Sequence, residues 1–142
     1  MRLRFALVAG VLLASAFLPG HSLLAQSTGD DRRDIVGVWR GSMPGDPPDS
    51  LEIIITPIRI ISRDLRTGRW LGGAVYAIDP ALHAINARRV DRFGQLRVYL
   101  GLYFLEGDTL RWCTNRRSMR RPATLEHRPD KDQYLMELQR QK

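Results

Sequence analysis

The residues from Leu96 to Cys113 constrain this chain more than any other stretch. Leu96, Val98, Leu100, Leu102 and Phe104 alternate with Arg97, Tyr99, Gly101 and Tyr103. That is the period-two pattern of a strand with two different faces. Glu106-Gly107-Asp108 then breaks the run, and glycine supplies the positive φ that a tight hairpin turn needs. Alternation resumes through Leu110 and Trp112. The stretch predicts one β-hairpin.

Similar short runs recur along the chain. Ile35-Val-Gly-Val-Trp39 predicts a first strand. Leu51–Thr56 and Ile58–Arg63 are β-branched runs divided by Pro57, which cannot donate to a central ladder and so marks a bend, bulge or edge. Trp70–Ile78 follows the turn Arg66–Arg69, and its Gly72-Gly73 pair suggests strong curvature. Ala84–Arg88 is a weaker strand, next to a segment from Pro80 that also tolerates a helical turn. Tyr134–Arg140 closes the chain with Tyr134, Met136 and Leu138 facing inward. The loop Met43–Asp49 carries three prolines and no regular element. Residues 115–132 read as a long polar loop, with a short strand near Ala123–Glu126. About eight short strands at regular spacing predict an all-β sandwich or barrel. An antiparallel up-and-down barrel is preferred, because closure removes the edge strands that an open sheet must protect.

Residues 1–25 have the layout of a secretory signal: Arg2 and Arg4, an apolar run from Phe5 to Leu18, and Ala25 as a small residue before Gln26. The apolar run is shorter than the ~20 residues of a spanning helix, and no cysteine follows it to carry a lipid anchor. The expectation is export to the periplasm or the extracellular space, with no membrane span after cleavage. Residues 26–34 read as a polar, disordered spacer and residues 35–142 as one folded domain.

Few chemistries fit. Cys113 is the sole cysteine, which excludes an internal disulfide and any multi-cysteine zinc site. His83 and His127 lie on different segments, without metal-ligand spacing. Asp30, Asp31 and Asp34, like Asp46 and Asp49, miss the offsets of a calcium loop. No nucleophile elbow and no phosphate-binding glycine loop occurs. The chain is therefore read as non-catalytic, with no cofactor and no metal. Its formal charge is +7, with basic clusters at Arg88, Arg89 and Arg92 and at Arg116, Arg117, Arg120 and Arg121. The second cluster has no interleaved aromatic for base stacking, and export removes nucleic acid from reach. An anionic surface or a protein partner remains open, as does a merely solvated face.

Gly37-Val-Trp39 near the start, with Arg140 at the end of the last strand, resembles the opening and closing signature of lipocalins. The ordered set Gly101–Cys113, Arg121-Pro-Ala-Thr124 and Met136–Arg140 is similar to a family of small secreted lipocalin-like domains of planctomycete type. This resemblance spans roughly residues 35–140 and implies a lipocalin-like barrel and export, with no catalytic residues to carry over. It also implies that Gly37, Trp39 and Arg140 close the barrel, the arginine packing over the indole. The first loop departs from the pattern in being short and proline-rich.

An eight-stranded barrel is just wide enough to be filled by side chains or to hold one small ligand. Tyr76, Leu100, Leu102, Phe104 and Leu110 are expected to face inward and, if a cavity remains, to bind a small apolar or amphipathic molecule. The alternative is a filled barrel that meets partners through its arginine-rich loops.

Overall fold

A computed structural model describes residues 30–142. The expected signal at residues 1–25 lies outside the described residues. Eight antiparallel strands close into a barrel in which each strand pairs with its sequence neighbours and the last pairs with the first. They are β1 (Gly37–Ser42), β2 (Leu51–Ile55), β3 (Arg59–Asp64), β4 (Trp70–Asp79), β5 (Ala84–Val90), β6 (Leu96–Glu106), β7 (Thr109–Asn115) and β8 (Gln133–Arg140). The up-and-down barrel read from the strand spacing is the observed fold. The Pro80–Leu82 segment makes one 3-10 turn, capped by the Asp79 carboxylate, and β5 follows it. No strand forms at residues 123–126; those residues belong to a connection that packs on the outside of the barrel.

Residues 31–34 are not a disordered spacer. Asp31–Asp34 form a short helix, α1, with Asp31 buried beneath the barrel. The Tyr103 hydroxyl donates to Asp31 Oδ2 at 2.6 Å. This contact is distant in sequence, so a local reading of polar residues as solvated could not anticipate it. Ile35, placed on the first strand by its spacing, lies between α1 and β1 and is fully buried.

One end of the barrel is closed and filled. Trp39 is inaccessible to solvent, and its indole Nε1 donates to the Ile35 carbonyl at 2.9 Å. The Arg140 guanidinium lies over the indole, 4.2 Å from the ring centroid. The same guanidinium donates to the carbonyls of Val36 and Asp34 and pairs with Asp108. Gly37 permits this approach: its φ is +152°, and a Cβ there would lie 2.7 Å from Arg140 Nη1. Above this plug, Ile55, Ile85, Tyr103, Leu110 and Leu138 fill the closed half.

Strand β6 turns the other way from expectation. Gly101 and Tyr103 are buried, Tyr99 faces the interior beside them, and Leu100, Leu102 and Phe104 lie on the opposite face. Both faces of this strand are apolar, and Leu100, Leu102 and Phe104 on the outer face stay half-buried. The outer face meets the 116–132 connection, which is pinned to the wall by several hydrogen bonds. Arg121 donates to the Gly101 carbonyl and to Asn86 Oδ1, Gln133 Nε2 donates to the carbonyls of Thr124 and Glu126, and the Cys113 thiol contacts the Glu126 carbonyl. Alternation alone distinguishes two faces without saying which one the barrel encloses.

Candidate functional site

The half of the barrel away from α1 is hollow. A cavity of about 420 Å³ opens there, within the range of roughly 300–1,000 Å³ typical of small-molecule sites. Its walls are built by alternate residues of several strands. Leu51 and Ile53 come from β2, Ile60 from β3, Ala87 from β5, Trp112 from β7 and Met136 from β8. Tyr99 adds its ring from β6, and Met43 comes from the proline-rich first loop. Small residues create the space. Gly72, Gly73 and Ala74 line the β4 side, and Gly101 gives the Trp112 indole room, since a Cβ at Gly101 would lie 2.5 Å from indole Nε1.

The mouth has a distinct construction. Pairing between β4 and β5 runs from Asp79↔Ala84 to Val75↔Arg88; beyond it the two strands part, Trp70–Ala74 pairing with β3 alone and Arg89–Val90 with β6 alone. A register shift between Ser62 and Arg63 bulges β4 at Leu71, next to Gly72 with φ +138°. The bulge supplies the curvature suggested by Gly72-Gly73. Arg89 bridges the resulting gap: its Nη1 donates to the Leu71 carbonyl at 3.3 Å, and its guanidinium lies 5.7 Å from the Tyr99 ring centroid. The guanidinium also occupies the space that a side chain at Gly72 would take. On the neighbouring rim, Arg116 stacks over the Tyr134 ring at 4.4 Å and lines the cavity.

None of the five residues expected to bind a ligand lines this cavity. Leu110 is fully buried in the closed half, paired between Leu105 and Leu138. Tyr76 also packs against the closed half, its hydroxyl donating to the Thr56 carbonyl at 2.8 Å, and burial pushes its pKa up. Leu100, Leu102 and Phe104 belong to the outer face of β6. The residues that do line the cavity carried a signal that was legible only in part. Tyr99 and Trp112 are large aromatics beside the small Gly101, and an interior often pairs large with small in this way.

Chemically the site is a receptacle. Its described lining offers aliphatic, aromatic and thioether surface, two hydroxyls at Ser62 and Thr114, and two guanidiniums. No group of three or more His, Cys, Asp or Glu that could hold a metal occurs among the described residues. Burial raises the Cys113 pKa, which keeps that thiol protonated under the covering connection and away from the cavity. His83 meets the edge of the Tyr103 ring, and His127 tilts against Tyr134. Neither histidine lines the cavity. No helix among the described residues is long and apolar enough to cross a membrane. No family model, curated protein or solved structure matches the chain.

Proposed function

We propose that this domain is a non-catalytic, lipocalin-like receptor that holds a small amphipathic molecule in the open half of its barrel. The observation that carries this reading is the division of the barrel interior. One half is packed shut around Trp39, while the other keeps an apolar-walled cavity of about 420 Å³. For comparison, an engineered apolar cavity of roughly 150 Å³ admits benzene. In this reading residues 1–25 export the chain, and the domain works in the periplasm or outside the cell. The likeness to small secreted lipocalin-like domains supports the same view. A filled-barrel module acting through the arginine loop is the weaker reading. Arg121 is spent holding the 116–132 connection to the wall, and Arg116 is stacked on Tyr134 at the cavity rim.

The test is native mass spectrometry of the purified protein, together with uptake of the neutral fluorophore N-phenyl-1-naphthylamine. The expected result is a solvent-extractable added mass or saturable, blue-shifted fluorescence. Ala87→Phe, which adds a ring to the cavity wall, should abolish uptake while keeping a cooperative melt. A bare mass with no uptake, or undiminished uptake by Ala87→Phe, refutes the reading.

A further inference from the structure

Several arginines on the outer wall and at the closed end have carboxylates. Arg40 and Arg63 share Glu52, Arg97 pairs with Asp91, Arg111 with Glu137 and Arg140 with Asp108. Arg89 and Arg116, the two that line the cavity, make no ion pair among the described residues, and no Asp or Glu lines the cavity with them. A charge beside apolar walls and without a counterion is unfavourable by itself, and a partner of opposite charge relieves it.

Arg89 is moreover held in place before any ligand arrives. The Leu71 carbonyl accepts from Nη1, the Tyr99 ring lies beneath the guanidinium, and the absence of a side chain at Gly72 leaves it room. These contacts fix the guanidinium while neutralising none of its charge. Its Nε is buried and has no hydrogen-bond partner. A fixed planar fork suits a carboxylate or another oxyanion, which it can engage with two donors.

We propose that the cavity selects ligands that carry one anionic oxygen-bearing group on an apolar body. The apolar body lies against Ile53, Trp112 and Met136, and the oxyanion sits at the mouth on Arg89, with Arg116 adding positive charge. This proposal rests on the reading of the cavity as a ligand site and adds the class of ligand.

The experiment compares three molecules of equal chain length, dodecanoate, dodecanol and protonated dodecylamine, as competitors of N-phenyl-1-naphthylamine at neutral pH. Dodecanoate should displace the probe at a concentration about tenfold below dodecanol, with dodecylamine the weakest. High salt should erode the advantage of dodecanoate and leave dodecanol unchanged. Arg89→Gln with Arg116→Gln should bring dodecanoate down to the level of dodecanol, while dodecanol still competes and the melt stays cooperative. The salt titration needs no variant and stands even if the double variant folds poorly. Equal potency of dodecanoate and dodecanol in the unaltered protein overturns the anion selectivity and leaves the cavity as a neutral ligand site. So does a preference for dodecanoate that survives both high salt and the double substitution. Failure of the probe and all three competitors to bind overturns the ligand-site reading, and the selectivity with it.

Discussion

Replacing Trp39 tests how the barrel is closed. Trp39→Phe keeps most of the ring packing but removes the indole N–H that meets the Ile35 carbonyl. Leaving a buried acceptor without its donor costs about 1–2 kcal/mol. The weaker attraction of a phenyl ring for Arg140 adds about 0.5–1 kcal/mol. The expected loss is therefore about 2 kcal/mol, read as a fall of roughly 8 °C in Tm for a domain of this size. Trp39→Ala should cost about 5 kcal/mol, because the site is fully enclosed. A double-mutant cycle of Trp39→Leu with Arg140→Met, followed by urea unfolding, isolates the contact between them and should give a coupling of about 1 kcal/mol. An unchanged urea midpoint for Trp39→Phe would refute the account of the plug. A coupling within ~0.3 kcal/mol of zero would show that the indole and the guanidinium act independently.

Two further outcomes follow from the closed half. Burial first, and the Asp31 carboxylate second, push the Tyr103 pKa far above its ordinary value near 10. The phenol is therefore held neutral in the folded state. Its contribution is complete below pH ~10 and is lost as the pH climbs beyond that value toward the raised pKa. Urea midpoints of the unaltered protein should fall as the pH rises above about 10. Tyr103→Phe should flatten that slope, leaving the smaller share of Tyr76, at a cost of about 1–3 kcal/mol at neutral pH; an equally steep fall in the variant would refute the assignment. Gly41→Ala should be among the most damaging single-methyl additions, since the new Cβ would strike the Glu137 backbone carbonyl where β1 meets β8. A loss of about 1–3 kcal/mol is expected by chemical denaturation, and a neutral result would mean that the β1–β8 seam yields easily.

How much of this was legible in the sequence differs from element to element. The hairpin of β6 and β7 is written in its alternation and in Glu106-Gly107-Asp108, and the structure turns there with Gly107 at φ +55°. Strand number followed from spacing, and closure from the need to protect edge strands. The side of β6 that faces inward did not, because Leu100, Leu102 and Phe104 are as apolar as an interior face would be. What decides it is the register with β5 and β7, which sets Tyr103 and Trp112 side by side in the interior and is a pairing between strands that no local pattern encodes. The same limit applied to Asp31, whose polar neighbourhood resembles solvent-exposed chain until Tyr103 reaches it. The cavity was harder still. It depends on β4 parting from β5 after Val75 and bulging at Leu71, so that Arg89 comes to span the gap. Gly72-Gly73 signalled curvature there, but the residues across the gap could be named only once the register was known.

Because each strand pairs with its neighbours in the chain and β8 returns to β1, the barrel wall is a ring without a privileged starting point. The last strand reaches the first where Arg140 lies beside Trp39, so the two ends of the wall meet at the plugged base. Joining them there and cutting a hairpin elsewhere would permute the order of the strands and leave every rung of the ladder in place. A cut at Asp91–Gln95 would place the new ends at the rim, while the fused joint would lie under the plug. The ring thus separates the question of where the chain is threaded from that of where the molecule opens.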